Sequence, residues 1–166
     1  MNTAQRFTAS RRVGTVAAAV TLATAGLAIA AARPTTNIHL GRTSFGPYVA
    51  QRLQNGHHYA IYISLHDQRD KSRCSSSCVL QFTPLTTRGR VKAWDGVKQK
   101  LLGIIDRGHG VKQVTYNHHP LYTATTDTPG SAIADGCKLY RARWYVVDKT
   151  GKPDKRFVNM KCTGGY

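Results

Sequence analysis

Apolar and polar positions after about residue 43 follow the short runs and turn signals that are typical of β-strands. Residues Tyr59–Leu65 form a β-favouring run, and Asn55-Gly56 stands between this run and an earlier apolar stretch. Asn-Gly between two such runs is the strongest short-range signal for a β-hairpin. We therefore predict a hairpin whose second strand is Tyr59–Leu65.

A second region predicts a meander of three strands. The β-favouring segments Leu101–Ile105, Val111–Tyr116 and Leu121–Thr125 are separated by a Gly-rich turn and by a turn that contains Pro120. Further along the chain, the run Trp-Tyr-Val-Val at 144–147 is typical of a buried strand.

Helical signals are few and short. Val91, Trp94, Val97 and Leu101 have helical spacing, but Gly96 weakens this segment, which predicts a short helix or a turn. The segment VLQFTPLTT, from residue 79, meets a proline and predicts a brief helical turn or an irregular packing segment. The fold class is therefore all-β or β-rich α+β: a small antiparallel β domain with one or two short helical turns.

One motif occurs twice at a spacing of 60 residues. Tyr62 and Asp67 in the first copy correspond to Tyr122 and Asp127 in the second, and an adjacent histidine pair precedes each motif. Two pseudo-repeated hairpin or meander units would each bury an apolar face against the other. In the structural interpretation, each tyrosine packs and each aspartate caps the following turn by accepting backbone N–H bonds. The functional alternative places the hydroxyls and carboxylates in a shallow binding pocket.

The first 32 residues have the pattern of an export signal. Arg6, Arg11 and Arg12 precede an uncharged, alanine-rich run that extends to Ala32. We predict a signal peptide over 1–32, with an uncleaved membrane anchor as the alternative, and a single secreted domain over 33–166. The protein would then lie in the cell envelope or outside the cell, and it would meet a membrane only if the segment stays uncleaved.

Four cysteines follow the predicted signal: Cys74, Cys78, Cys137 and Cys162. An even number of cysteines in an exported chain predicts disulfides, although the sequence allows three pairings. We favour Cys74–Cys78 and Cys137–Cys162. The longer Cys137–Cys162 loop would contribute about 3 kcal/mol of stability.

The chain is strongly basic, with a formal net charge of +16 and no glutamate among its acids. Without the three arginines of the predicted signal, the charge is about +13. Such a chain attracts anionic polymers of the cell envelope, phospholipid head groups and nucleic acid. Because the cations are scattered along the sequence, a solvated basic surface is favoured over a groove for specific nucleic acid.

Several segments together resemble a family of bacterial secreted-repeat proteins, the lipoproteins with a Yx(FWY)xxD motif. The similarity is strongest in LLGIIDRGHGVKQVTYNHHPLYTATTDTPG and continues in RWYVVDKTG and CSSSCVLQFTPL, so that it covers about Thr43 to Gly151. The resemblance implies a β-rich repeat fold and an extracytoplasmic address. It implies no established activity.

This chain departs from the family pattern at several positions. Ser64 and Ala124 stand where the family has the central aromatic residue of each motif, and Phe82 and Thr83 replace a tryptophan and a proline. A lipid-attachment cysteine is also missing. Whether the central aromatic residue of the family stacks or fills the core, Ser64 and Ala124 cannot do this in the same way.

The histidine pairs His57-His58 and His118-His119 are candidate metal ligands. Imidazoles bind copper, zinc and haem iron, all of which an exported protein can meet. Because neighbouring strand residues point to opposite faces, each pair would supply one ligand unless its backbone turns. Solvent-exposed turn histidines are the favoured interpretation, so no cofactor is assigned.

A basic secreted hydrolase is a further alternative, with His66 or His119 transferring protons and Lys112 and Arg107 stabilising phosphate. No carboxylate is positioned for it by the sequence, and no Gly-x-Ser-x-Gly motif occurs. We therefore predict a monomeric, non-catalytic module that binds an anionic envelope polymer or a protein partner. A metal- or haem-binding secreted protein is the first alternative.

Overall fold

The computed structural model describes residues 35–43, 46–53 and 55–156. The predicted signal segment 1–32 and Cys162 lie outside the described residues. The strands are, in chain order, β1 (Thr36–Thr43), β2 (Gly46–Arg52), β3 (His58–Ala60), β4 (Tyr62–Ser64), β5 (Phe82–Pro84), β6 (Val91–Ala93), β7 (Leu102–Asp106), β8 (Lys112–Tyr116), β9 (His119–Pro120), β10 (Tyr122–Ala124), β11 (Lys138–Leu139) and β12 (Ala142–Val146). One short α-helix, α1 (Ser77–Gln81), and one 3-10 turn (Gln99–Leu101) complete the set. The prediction of a β-rich domain with few helical turns is confirmed.

Three sheets organise the described strands. One has the order β3-β2-β1-β6, one has the order β11-β12-β4-β10-β5, and β7-β8-β9 form a three-stranded sheet. Neighbouring strands are antiparallel except β6, which runs parallel to β1. The predicted Asn55-Gly56 hairpin is confirmed, because it joins the paired strands β2 and β3 and Gly56 adopts the left-handed φ of 84°.

The two predicted repeat units are related by a pseudo-twofold arrangement. Strands β1-β2-β3 of the first half correspond to β7-β8-β9 of the second half. Strands β4 and β10 pair at the centre of the five-stranded sheet, with Tyr62 opposite Tyr122. The strand that follows each motif pairs with the other half, since β5 binds β10 and β12 binds β4. Each half is therefore completed by a strand from its counterpart.

The chain changes sheets at Ile61 and Leu121, so the predicted continuous strand Tyr59–Leu65 is two strands. The N–H of Ile61 donates to the Val49 carbonyl, and the N–H of Leu121 donates to the Val114 carbonyl. For the same reason, Leu121–Thr125 is not the third strand of the meander. Strand β9 closes the meander, and β10 belongs to the central sheet.

Of the short helix or turn predicted over Val91–Leu102, the turn is confirmed, and no α-helix forms in this segment. The segment forms β6, a turn and one 3-10 turn. Asp95 and Gly96 both have positive φ, at 54° and 90°, which no right-handed helix accommodates. The apolar spacing reflects burial of Val97 in the core instead. In contrast, α1 confirms the brief helical turn expected before Pro84.

Two apolar clusters form the core. One contains the central aromatic residues, and the other is mainly aliphatic, including Ile61, Ile63 and Leu121. In the aromatic cluster, Phe82 and Trp144 stack with their ring centroids 3.6 Å apart and their planes 1° apart. Both side chains are fully buried. They come from the two exchanged strands, β5 and β12, so this stack lies where the halves meet.

Replacing Phe82 by leucine should lower the free energy of unfolding by about 1–3 kcal/mol, because the substitution removes the ring stack and underfills the core. Urea unfolding followed by tryptophan fluorescence measures the change. Leu80→Ala is the matched control, since Leu80 lies two residues away and is 76% exposed. A control that destabilised the protein as much as Phe82→Leu would contradict this account.

Candidate functional site

The repeated tyrosines and aspartates form hydrogen bonds between the halves. The hydroxyl of Tyr62 donates to Oδ2 of Asp127 at 2.7 Å, and the hydroxyl of Tyr122 donates to Oδ2 of Asp67 at 2.7 Å. Each tyrosine is therefore bonded to the aspartate of the other copy of the motif. We call these four residues the Tyr–Asp centre.

Each aspartate of the Tyr–Asp centre also closes its own loop. Oδ1 of Asp67 accepts the N–H of Arg73 at 2.6 Å, and Oδ1 of Asp127 accepts the N–H of Ile133 at 2.9 Å. Each carboxylate accepts a backbone N–H, as the structural interpretation expected. However, each of these carboxylate–N–H bonds joins residues that are six positions apart, and the tyrosine bond between the halves was not expected.

A second reciprocal exchange connects the same loops to the histidine turns. The N–H of Asp70 donates to the carbonyl of His118 at 2.8 Å, and the N–H of Gly130 donates to the carbonyl of His58 at 2.9 Å. The repeated histidines therefore contribute their backbone carbonyls to the contact between halves. The imidazole rings of His58 and His118 take no part in these backbone bonds, and they lie in two different environments.

Burial determines the protonation of the Tyr–Asp centre. Desolvation raises the pKa of the Tyr62 and Tyr122 hydroxyls, and the neighbouring Asp127 and Asp67 raise the pKa further. Desolvation also raises the pKa of both carboxyls above the ordinary value for aspartate. The tyrosines therefore stay protonated and act as hydrogen-bond donors, which suits a structural connection between the halves.

Tyr62→Phe and Tyr122→Phe should each lower the free energy of unfolding by about 1–3 kcal/mol, because each leaves a desolvated carboxyl without its hydroxyl donor. Urea unfolding gives the two values. Tyr140→Phe is the control, since the Tyr140 hydroxyl bonds Gln81 at an exposed position, and it should cost less than about 0.5 kcal/mol. Equal losses in all three variants would show that the reciprocal bonds add nothing.

The four candidate histidines occupy separate environments. His57 is exposed in the β2–β3 turn, and the His58 ring lies edge-on to His39 with centroids 5.8 Å apart. Nδ1 of His118 lies 2.7 Å from Oδ2 of Asp70, while Arg69 donates to its Nε2. Since arginine only donates, Nε2 is the acceptor and Nδ1–H donates to Asp70. Burial lowers the pKa of the half-buried His119.

Within the part of the chain that the structure describes, no group of three or more His, Cys, Asp or Glu side chains is arranged to hold a metal ion. The copper, zinc or haem alternative for His57, His58, His118 and His119 stays a prediction. The hydrolase candidates also have separate partners: Lys112 pairs with Asp106 at 2.8 Å, and Arg107 donates to Gln113 and to the Cys74 carbonyl.

The predicted Cys74–Cys78 disulfide is confirmed, with the Cα atoms 5.3 Å apart. It closes the turn that leads into α1, and both cysteines are buried in the aromatic cluster. Cys137 is buried in the same cluster. The predicted Cys137–Cys162 pairing stays a prediction, because Cys162 lies outside the described residues.

A cleft of about 510 Å³ lies beside β1 and β2 at the turn that follows β6. We call it the Trp94 cleft. Its lining includes Asn37, His39, Gln51, Arg52, Trp94 and Asp95. The sequence analysis missed this site, because its residues come from three separate segments and form no motif. Trp94 itself was the one available signal, and its spacing predicted a short helix or a turn.

A buried histidine supports the tryptophan in the Trp94 cleft. His39 is 6% exposed, its Nδ1 lies 2.7 Å from Oδ2 of Asp95, and its ring is parallel to the Trp94 ring at 5.8 Å between centroids. The indole N–H of Trp94 donates to Oδ1 of Asn37 at 3.2 Å. The ammonium of Lys92 lies 4.0 Å from the centroid of the same ring. Trp94 is thus oriented by several contacts although it is 41% exposed.

The pKa of the neighbouring His58 is lowered, first by desolvation and then by the positive charge of Arg52. His58 therefore stays neutral near pH 7. Arg52 is the exposed permanent cation in the lining of the Trp94 cleft, which also includes Asp95.

A buried carboxyl lies near the C-terminal end of the described chain. Asp135 is 4% exposed and accepts the N–H of Val146 at 2.9 Å. Desolvation raises the pKa of Asp135 to about 7, with Asp154 and Asp127 adding to the effect and backbone hydrogen bonds opposing it.

The stability of the wild type should fall as the pH rises, and Asp135→Asn should abolish this fall. Between about pH 4 and pH 7 the unfolded chain releases the Asp135 proton while the folded chain retains it, so the wild type loses stability over this window. Each tenfold ratio of acid dissociation constants is about 1.4 kcal/mol, so the variant should gain up to about 4 kcal/mol relative to wild type from pH 4 to pH 8.

Urea unfolding at several pH values measures the gain. Asp106→Asn is the control, since Lys112 lowers the pKa of the exposed Asp106, so its pH-dependent effect on stability should occur below about pH 4 and leave the profile from pH 4 to pH 8 parallel to that of the wild type. If the wild type and Asp135→Asn had parallel pH profiles, the assignment to Asp135 would be wrong.

Comparison with known proteins adds no assignment: the chain matches no family model, no curated protein and no solved structure. Over residues 35–43, 46–53 and 55–156, no helix has the length and apolar character needed to cross a membrane.

Proposed function

We propose that this protein is an exported, non-catalytic module that binds an anionic polymer of the cell envelope. The observation that carries the proposal is the different placement of acidic and basic side chains. Five of the eight carboxylates are buried or half-buried, whereas every lysine and arginine of the described residues except Arg107 has an exposed side chain. The surface is therefore more positive than the composition alone requires.

All eight aspartates lie in the described part of the chain, and each has a structural partner. Two belong to the Tyr–Asp centre, Asp135 is buried, and Asp148 accepts the N–H groups of Thr150 and Lys152. The remaining four form ion pairs or hydrogen bonds with a cationic side chain or a histidine: Asp70, Asp95, Asp106 and Asp154.

Among the described residues, every lysine and arginine except Arg107 has an exposed side chain. Within that same part of the chain, carboxylate ion pairs involve two of these cations, Lys112 and Arg156. Lys138 and Arg143 are direct cross-strand neighbours on β11 and β12, where like charges repel each other. A polyanion would relieve this repulsion, and its attraction extends over the whole surface.

The extracytoplasmic address is part of the proposal. The Cys74–Cys78 disulfide is compatible with an oxidising compartment, and the predicted signal over 1–32 supplies a route. We also propose that the chain is a divergent member of the Yx(FWY)xxD family. The reciprocal bonds support this proposal, because they give the paired tyrosine and aspartate a physical reason to occur in two copies.

The protein purified without residues 1–32 should bind one envelope-type polyanion at about 0.15 M ionic strength, where exposed charges are screened beyond about 8 Å. Affinity chromatography and calorimetry on polyglycerol phosphate, polygalacturonate and single-stranded DNA, matched in charge density, provide the measurement. Affinity should fall as the salt concentration rises. The slope of log affinity against log salt concentration should correspond to several ionic contacts.

Lys138→Gln with Arg143→Gln should weaken binding and reduce the salt slope. Lys112→Gln is the control, because that cation is already paired with Asp106. The proposed function fails if all three polymers elute together well below 0.15 M salt, since generic charge then explains the binding.

A further inference from the structure

We infer that the Trp94 cleft binds a sugar residue of an acidic polysaccharide, with Trp94 as the platform and Arg52 as the carboxylate partner. This inference rests on the proposed function and narrows it. It selects one class of anionic polymer and one place on the surface.

Trp94 is a large aromatic side chain that the fold leaves in contact with solvent. It is 41% exposed, whereas Trp144 is fully buried. Its orientation is nevertheless fixed by Asn37 at the indole nitrogen and by the parallel ring of the buried His39. A rigid amphipathic ring loses little conformational entropy when a ligand covers it. Such a ring can contact the C–H groups on one face of a pyranose.

Hydrogen-bonding groups surround this ring. Gln51 and Asn37 line the cleft, and their amides can donate to and accept from sugar hydroxyls. A volume of about 510 Å³ falls within the range of small-ligand sites, about 300–1,000 Å³. The cleft is thus concave, polar at its sides and aromatic at one wall.

Two cations give the cleft a preference for an acidic sugar over a neutral one. Arg52 lines the cleft and can bind a carboxylate through two parallel N–H bonds. Lys92 has its ammonium 4.0 Å from the Trp94 centroid, so a carboxylate that approaches the ring also meets this charge. These two cations outnumber the carboxylate of Asp95, which also lines the cleft and lies 2.7 Å from Nδ1 of His39.

The other anionic polymers match these residues less well. A polyphosphate chain would use the cations but has no apolar face for Trp94. Single-stranded nucleic acid could stack one base, but binding of such strands relies on successive aromatic platforms. Trp94 is the one tryptophan, tyrosine or phenylalanine that lines the cleft within the described residues.

Acrylamide quenching of tryptophan fluorescence tests the site directly, because Trp94 is accessible to the quencher and Trp144 is buried. Galacturonate oligomers should reduce the quenching, whereas polyphosphate and a single-stranded oligonucleotide of equal charge should leave it unchanged. Neutral dextran should also have no effect. Protection of Trp94 by polyphosphate, by the oligonucleotide or by dextran to the same extent as by galacturonate would overturn the inference.

Calorimetry with the galacturonate oligomers tests the residues. Trp94→Ala and Arg52→Ala should each weaken binding at least tenfold, and Gln51→Ala should weaken it about threefold to tenfold. Tyr140→Ala and Arg141→Ala are matched controls, because they remove an exposed aromatic and an exposed cation from the β11–β12 turn. Urea unfolding of each variant separates a binding defect from a folding defect, and Gln51→Ala provides a test that leaves the ring in place.

The two proposals fail in different ways. If another polymer is retained at about 0.15 M salt and the Trp94 cleft variants bind it normally, only the sugar site is wrong. If no polymer is preferred at that salt, the proposed function is wrong as well. Equal losses in the cleft variants and the Tyr140 and Arg141 controls would also reject the site.

Discussion

The reciprocal hydrogen bonds of the Tyr–Asp centre are the interaction on which the rest of the structure depends. Each bond joins a tyrosine of one half to an aspartate of the other, and the same aspartate closes the loop that follows its own motif. The position of one loop is thus coupled to the position of the opposite strand. Since all four residues are buried or half-buried, a missing partner would be costly.

The pairing across the central sheet also accounts for the two small residues of the repeated motif. Ser64 and Ala124 each lie two positions after a motif tyrosine. In the central sheet, Trp144 lies opposite Ser64 and Phe82 lies opposite Ala124. The small motif residues leave space, and the neighbouring strands supply the large rings that stack between the halves. The aromatic volume is therefore provided across the strands instead of within the motif.

The sequence predicted a turn, several strands and a disulfide loop correctly, because each has a local signal. The Asn55-Gly56 turn, the β-favouring runs and the Cys74–Cys78 loop depend on residues close in sequence, and each occurs in the structure. The 60-residue echo predicted two related units, but it could not show that tyrosine and aspartate exchange partners. The change of sheet at Ile61 was also hidden, because residues on both sides of it are equally apolar and β-favouring.

The Trp94 cleft was beyond prediction for a different reason. Its walls come from β1, from the end of β2 and from the turn after β6, and they meet only because β6 pairs with β1 in parallel. No spacing in the sequence encodes that pairing. The left-handed conformation of Asp95 directs the turn and excludes the short helix that the spacing of Trp94 allowed as one alternative.

The exchange of β5 and β12 between the halves has a consequence for synthesis. Strand β4 has β12 as its outer neighbour, so the first half cannot complete its part of the central sheet while residues 142–146 are still in the ribosome. Pairings between residues this far apart in sequence form slowly, since a long loop must close first. The order of the strands therefore keeps the central sheet of the nascent chain open until residues 142–146 have emerged.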